Sequence, residues 1–246
     1  MSPADTTETI IDAETPDGEM AVVITEPASG GPYPTIALFH DAPGIRKFNY
    51  DFNRRLAAEG YRVIMPDLHH RHGRLIGIMP DQATDENKAL VQMMLHSMTD
   101  DGIQADLDAA LVAAGVGDDE KMGTIGFCLG ARAIFRTLMR LPERFVVGAT
   151  WHPSLLADDE DDSPHLTAAQ LEQPVYIGIG TADQIQSIEM HKRFFDAVEP
   201  LDHVEIEIFE GADHGYTWPG SRNYHEVAAT GSWMKTTALF AMHLRG

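Results

Sequence analysis

Thr124-Ile125-Gly126-Phe127-Cys128-Leu129-Gly130-Ala131 is the stretch on which the architecture turns. Its first four residues make a short β-prone run that stops at a cysteine flanked by glycine two places before and two places after. This is the form of a nucleophile elbow, G-x-S-x-G, with Cys128 standing where serine is usual. A strand that turns at once into a helix holds the nucleophile in a strained conformation. Small flanking residues prevent collision with the neighbouring strand and helix. The helix N-terminus adds unpaired N–H groups and a positive dipole end, which favour a thiolate and an oxyanion. Read alone, the pentapeptide also fits a small buried hydrophobe at a strand end, so its meaning rests on its surroundings.

Outward from the elbow, β-rich runs alternate with amphipathic ones. Thr35–Phe39 reads as a buried strand after the turn-rich Ser29-Gly30-Gly31-Pro32. A helix follows from about Asn49, with Phe48, Phe52 and Leu56 on one face and Gly60 placed to cap its end. Arg62–Met65 is the next strand, stopped by Pro66. Two helices come next, one carrying Leu90, Met94 and Met98, the other Ile103, Leu107, Ala110, Leu111 and Ala114. Beyond the elbow and its helix, Val146–Thr150, Val175–Ile179 and Val204–Ile208 read as strands, and a closing helix carries Val227, Met234, Ala238 and Ala241. Apolar strands separated by helices imply a mostly parallel central sheet with helices on both faces. Sites in such sheets form beyond the carboxyl ends of the strands, here after Phe39, Phe127, Gly180 and Phe209. With no repeat or linker, residues 1–246 suit one α/β domain.

Two strand ends supply partners for Cys128. His214, in Gly211-Ala212-Asp213-His214-Gly215, can accept the nucleophile's proton. Asp183, in Gly180-Thr181-Ala182-Asp183, can hold the imidazole in the useful tautomer. The order nucleophile, acid, base is that of an α/β-hydrolase fold. Asp213 is the competing acid, but its adjacency to His214 gives it poor reach to the ring. The Leu129 N–H is the expected first oxyanion donor; the second belongs to His40-Asp41-Ala42-Pro43-Gly44, where proline lacks an N–H and Ala42 is the better donor. Asp41 would then lie close to the sulfur.

At this point the chain resembles the dienelactone hydrolase family, the carboxymethylenebutenolidases. The resemblance rests on Gly126–Ala131, Gly180–Asp183, Ala212–Gly215 and Gly60-Tyr61-Arg62-Val63-Ile64-Met65-Pro66-Asp67-Leu68, and it spans nearly the whole chain. It implies an α/β-hydrolase that cleaves a small-molecule enol ester or lactone through a thioester acyl-enzyme, without a cofactor. In the family a glutamate after the first buried strand contacts the resting thiol; the matching Asp41 is one methylene shorter. The family's type enzyme also carries an arginine a few residues past the catalytic histidine, whereas here Gly215-Tyr216-Thr217-Trp218 follows and no arginine appears until Arg222. Tyr216 and Trp218 suggest an aromatic pocket wall, with packing under the final helix as the alternative for Trp218. Arg46, Arg71 and Arg74 are the candidate cations from other loops.

Other signals are weaker. His69-His70-Arg71-His72 lacks convergent ligand spacing and a carboxylate or cysteine partner, so a solvated or pocket-rim loop is expected rather than a metal site. His152, after Trp151, borders the site or packs beneath it. Gly178-Ile179-Gly180 lacks the other glycines of a dinucleotide fingerprint.

The balance of 18 basic against 38 acidic side chains, a formal charge of -20, argues against nucleic acid and anionic membranes as partners. It fits solubility or a salt-adapted cytosol, with a cationic partner as the alternative. Asp158-Asp159-Glu160-Asp161-Asp162 reads as a solvated loop rather than a calcium site. One cysteine rules out an intrachain disulfide and leaves no resolving thiol for redox chemistry. The acidic stretch Met1–Ala21 lacks a basic region followed by an apolar run, and no apolar stretch is long enough to span a bilayer, so a cytoplasmic protein is expected. A catalytically silent binding protein on the same fold is the competing functional reading.

Overall fold

The computed structural model describes residues 5–245. The chain falls into two compact units that divide after Glu120.

The first unit opens with a hairpin that the sequence reading does not anticipate. β1 (Thr6–Thr15) and β2 (Gly18–Pro27) pair antiparallel, from Thr15 opposite Gly18 to Thr6 opposite Pro27. The Thr15 hydroxyl closes the turn by donating to the Gly18 carbonyl (2.7 Å), and Gly18 supplies a positive φ of 117°. β2 also pairs antiparallel with β4 (Arg62–Pro66), and β3 (Thr35–Phe39) runs parallel to β4. β3 is buried along its whole length, as its unbroken apolar run implies. Three helices complete the unit: α1 (Lys47–Ala58), α2 (Asp85–Ser97) and α3 (Asp100–Ala113). α1 starts two residues ahead of the expected Asn49 and ends at Ala58, with Glu59 as C-cap and Gly60, at a φ of 91°, as the C′ glycine. α3 buries Ile103, Leu107, Ala110 and Leu111 as its spacing indicates, whereas α2 buries only Met94 of its expected stripe.

The second unit holds four parallel strands in the order β5 (Met122–Phe127), β6 (Phe145–Trp151), β7 (Val175–Gly180) and β8 (Val204–Phe209). Phe127 lies opposite Trp151, Trp151 opposite Gly178, and Gly180 opposite Phe209, so the carboxyl ends finish at one edge. The helices are α4 (Gly130–Arg140), α5 (Ile188–Val198) and α6 (Glu226–Leu244). A side chain at Gly148 would meet Leu138 and Ile134 of α4, while Trp151, three residues on, donates from Nε1 to Thr236 of α6 (2.9 Å). Strand residues an odd number apart face opposite ways, so α4 and α6 cover opposite faces of these strands.

α6 inverts the sequence reading. Its buried residues are Ala228, Ser232, Thr236 and Phe240, and the apolar residues singled out earlier, Val227, Met234, Ala238 and Ala241, are exposed. The reason is polar: Ser232 bonds both Tyr216 (2.8 Å) and Tyr176 (3.2 Å), and Thr236 bonds Trp151. Buried phenol and indole groups need such partners, so hydrophobicity does not mark the inner face.

Candidate active site

Cys128 directly follows β5 with a φ of 55°, a left-handed conformation rare for a residue with a Cβ. The elbow is fixed by close packing: a Cβ on Gly126 would lie 2.2 Å from the Gly130 carbonyl oxygen, so only glycine lets the helix start this near the strand. The Cys128 N–H donates to the Trp151 carbonyl (3.4 Å), and its own carbonyl accepts from Ser154 N–H (2.9 Å). Leu129, buried at the N-terminal end of α4, carries the amide that precedes the helix.

The acid and base loops are held together by backbone. A Cβ on Gly180 would fall 2.0 Å from the Ala212 carbonyl oxygen, and that carbonyl accepts from Ala182 N–H (3.0 Å). The Thr181 hydroxyl accepts from Gly211 N–H (2.8 Å). This clasp sets His214 Nδ1 at 2.8 Å from Asp183 Oδ2. The other carboxylate oxygen accepts from the amides of Ile185 (2.9 Å) and Gln186 (2.8 Å). Burial opposes ionisation of Asp183, but the His214 hydrogen bond and charge, with the two amides, outweigh it and hold the carboxyl below its usual range. Asp213, the rival acid, accepts instead from backbone, at His214 N–H (2.7 Å) and Gln184 N–H (3.2 Å).

Burial would lower the His214 pKa, yet the negative charge of Cys128 and the bond to Asp183 drive it up to about 10. Nε2 is buried and makes no hydrogen bond of ordinary length and angle; the charge bearing on it is that of the sulfur. The sulfur of Cys128 and the carboxylate of Asp183 therefore both bear electrostatically on His214.

In the segment after β6 the sequence reading names His152 but not Ser154. Ser154 Oγ stands 3.4 Å from Cys128 Sγ. His152 takes a φ of 40°, donates its N–H to the Gly178 carbonyl (2.8 Å), and packs its ring edge-on to that of His214 at 4.9 Å. It thus both borders the site and packs beneath it. His191 of α5 is buried nearby and held neutral: burial pushes it down to about 4, against the pull of Asp183. The only signal for these residues in sequence is their position beyond a strand's carboxyl end.

Tyr216 is wholly buried and Trp218 nearly so. Tyr216 bonds Ser232, and the Trp218 ring lies 4.8 Å from that of Phe127, so both stand in the core behind His214. In the first unit, Asp41 and Arg46 form a buried ion pair with each other. His69 Nε2 donates to the Ala42 carbonyl (2.9 Å). Arg71 grips Asp106 with two nitrogens (2.8 and 3.0 Å) and reaches Asp17 (2.7 Å), and His70 adds a bond to Asp106 (3.2 Å). The histidine-dense stretch is therefore wired into side chains and backbone rather than solvated.

Parallel strands, a left-handed Cys128 after β5, and Asp183 hydrogen-bonded to His214 on the loops after β7 and β8 have the arrangement of an α/β-hydrolase fold. The comparisons give the family: the dienelactone hydrolase family model matches residues 20–244, and the chain belongs to that family. A provisionally named carboxymethylenebutenolidase of Methylorubrum extorquens is 27% identical over 235 residues, covering 92% of this chain and 78% of that one. A relative of the same provisional name from Salmonella typhi is 27% identical over 252 residues, covering 93% and 90%. The crystal structure of a provisionally named dienelactone hydrolase from Klebsiella pneumoniae superposes with a TM-score of 0.83 at 25% identity, covering 97% of this chain and 99% of that one. Among the described residues no helix is long and apolar enough to cross a membrane.

Proposed function

We propose that this protein is a cysteine-dependent hydrolase of enol lactones or activated carboxylic esters, acting through a thioester acyl-enzyme. The observation that carries the reading is the Asp183–His214 hydrogen bond, with His214 driven up to about 10 against burial by the Cys128 charge and that bond. Family membership and the relatives' names support the substrate class.

In this reaction the Cys128 thiolate attacks the substrate carbonyl carbon, and the displaced electron pair becomes an oxyanion bonded by the Leu129 amide. The Ala42 amide is assigned as the second donor on sequence pattern alone. Collapse of the intermediate breaks the bond to the leaving oxygen, which takes the proton of the His214 imidazolium. The neutral imidazole then removes a proton from water, hydroxide adds to the thioester, and collapse expels the carboxylic acid and restores the thiolate beside imidazolium. Enolates and phenolates depart readily, which offsets the weakness of a thiol in cleaving ordinary esters.

The test is hydrolysis of p-nitrophenyl acetate and a small panel of enol lactones by wild type and Cys128→Ala. We expect turnover by wild type and a loss of about a thousandfold or more in the variant. An alanine variant that keeps the activity sinks the reading. Wild type inert toward every member of the panel sinks it too, and favours a silent binding protein.

A further inference from the structure

We propose that Leu155, Ile185 and Met190 form an apolar rim beside the nucleophile that binds an uncharged, apolar acyl or alcohol group of the substrate. The inference rests on the hydrolase reading and names its substrate class.

Three large hydrophobic side chains stand in water at this edge: Leu155 is 44% exposed, Ile185 60% and Met190 50%. Leu155 and Ile185 are tied to the reacting groups by hydrogen bonds in their own segments. Leu155 follows Ser154, whose hydroxyl touches the Cys128 sulfur and whose N–H donates to the Cys128 carbonyl. The Ile185 N–H donates to Asp183 Oδ1, the oxygen not used by His214. Gln186 joins the two sides, since its side-chain oxygen accepts from Leu155 N–H (3.2 Å) while its own N–H bonds Asp183. Met190 lies on the first turn of α5, just beyond.

Leu155 is held with a φ of 61°, a left-handed backbone that residues with a Cβ rarely adopt. Hydrogen bonds of Leu155 N–H to Gln186 and of Ser154 N–H to Cys128 flank that turn, which presents an apolar side chain to solvent next to the nucleophile. Exposed hydrophobics scattered singly mean little, but a set of them at a reactive centre marks a binding surface. The charge pattern agrees. Arg46 is committed to Asp41, and Arg71 to Asp106 and Asp17, so the expected cations are engaged within the first unit. A substrate carboxylate gains little here, and an apolar chain gains the burial of these three side chains.

The experiment compares kcat/KM for p-nitrophenyl acetate, butyrate and hexanoate, and for the anionic p-nitrophenyl hemisuccinate. The proteins are wild type, Leu155→Asn, Ile185→Ser and their combination, with Val112→Ser as a control exposed on α3. Asparagine is chosen because it tolerates the left-handed backbone. Each methylene buried on the rim is worth roughly fourfold, so with two further methylenes wild type should prefer butyrate to acetate by about fifteenfold and should prefer butyrate to the hemisuccinate. The butyrate-to-acetate ratio should fall about fivefold or more in the double variant and stay at the wild-type value in Val112→Ser. An unchanged ratio in a double variant with native circular dichroism overturns the proposal, as does a wild-type preference for the hemisuccinate. Light scattering that finds a dimer in wild type and a monomer in Ile185→Ser overturns it in favour of a second copy on the rim. An enzyme that needs Cys128 but ignores chain length defeats only the rim, whereas activity that survives Cys128→Ala defeats the hydrolytic reading itself.

Discussion

Burial alone would make His214 a weak base, and the sulfur's charge and the Asp183 bond reverse that, to a pKa of about 10. The same balance changes during turnover. On the proposed mechanism, acylation of Cys128 removes its charge, the strongest upward influence on His214 disappears, and the imidazolium gives up its proton to the leaving oxygen instead of holding it. In the resting enzyme the imidazolium is the acid form, so acylation of substrates with poor leaving groups stays level through neutrality and falls as pH rises through about 10. With an alkyl ester such as trifluoroethyl acetate, whose alkoxide leaves poorly without a proton, kcat/KM measured from about pH 7 to about pH 11 should show this alkaline limb. Asp183→Asn removes one upward influence, so its limb should move to lower pH and its neutral-pH rate should drop by about a hundredfold. A limb that stays in place when Asp183 is changed would separate the carboxylate from the histidine's titration. Cys128, Asp183 and His214 are legible in sequence because each sits in a glycine-bearing motif after an apolar run. Ser154, Leu155 and Ile185 are not, because their place beside the site depends on the left-handed turns at Cys128, His152 and Leu155, which no local pattern announces.

Among the elements, the clasp between the end of β7 and the loop after β8 has the most direct consequence for activity. Gly180→Ala would drive a methyl group to 2.0 Å from the Ala212 carbonyl oxygen, and backbone on both sides has to move. We expect a stability cost of about 1–3 kcal/mol, as for other overpacked sites, and a fall in kcat/KM of about a hundredfold as Asp183 and His214 separate. Gly211→Ala is the informative contrast, since it meets nothing within 4 Å and pays only for a φ of 74°. Equal activity losses in the two, followed by ester hydrolysis and thermal unfolding, would mean that strain rather than spacing controls the loop. The parallel strands were readable because buried strands are apolar throughout. The antiparallel hairpin was missed because β1 is largely exposed and rich in Thr, Glu and Asp, a composition that registers as charge; the Pro16-Asp17-Gly18 turn was its signal. α6 was read on the wrong face because its inner positions serve hydrogen bonds. The acidic run is a solvated loop, exposed from Asp159 to Asp162, and the pairings it also makes, Arg132 with Asp158 (2.7 Å) and Asp162 (3.1 Å) and Arg193 with Asp159 (2.9 Å), join residues too distant in sequence for a local pattern to show.

Across the whole molecule, net charge sets how stability responds to salt. If all 18 basic side chains were paired, twenty acidic ones would still lack a partner. Two opposing effects follow from adding salt. Screening weakens exposed ion pairs such as Lys192–Asp196 and Arg193–Asp159, but such pairs contribute about 0–1 kcal/mol each. Screening also relieves repulsion among the surplus acids, an effect summed over the whole surface and acting at distances near the Debye length, about 10 Å at 0.1 M. The Arg71–Asp106 pair, with Asp106 fully buried, is largely sheltered from either change. The surplus therefore wins, and the melting temperature should rise by about 3–6 °C between roughly 0.02 M and 0.5 M potassium chloride, equivalent to about 1–2 kcal/mol for a chain of this size. Neutralising the exposed Asp118 and Asp119 to asparagine should raise the low-salt melting temperature and shrink the salt increment. A melting temperature that falls with added salt would instead assign the surface charge to ion-pair networks that matter more than the repulsion.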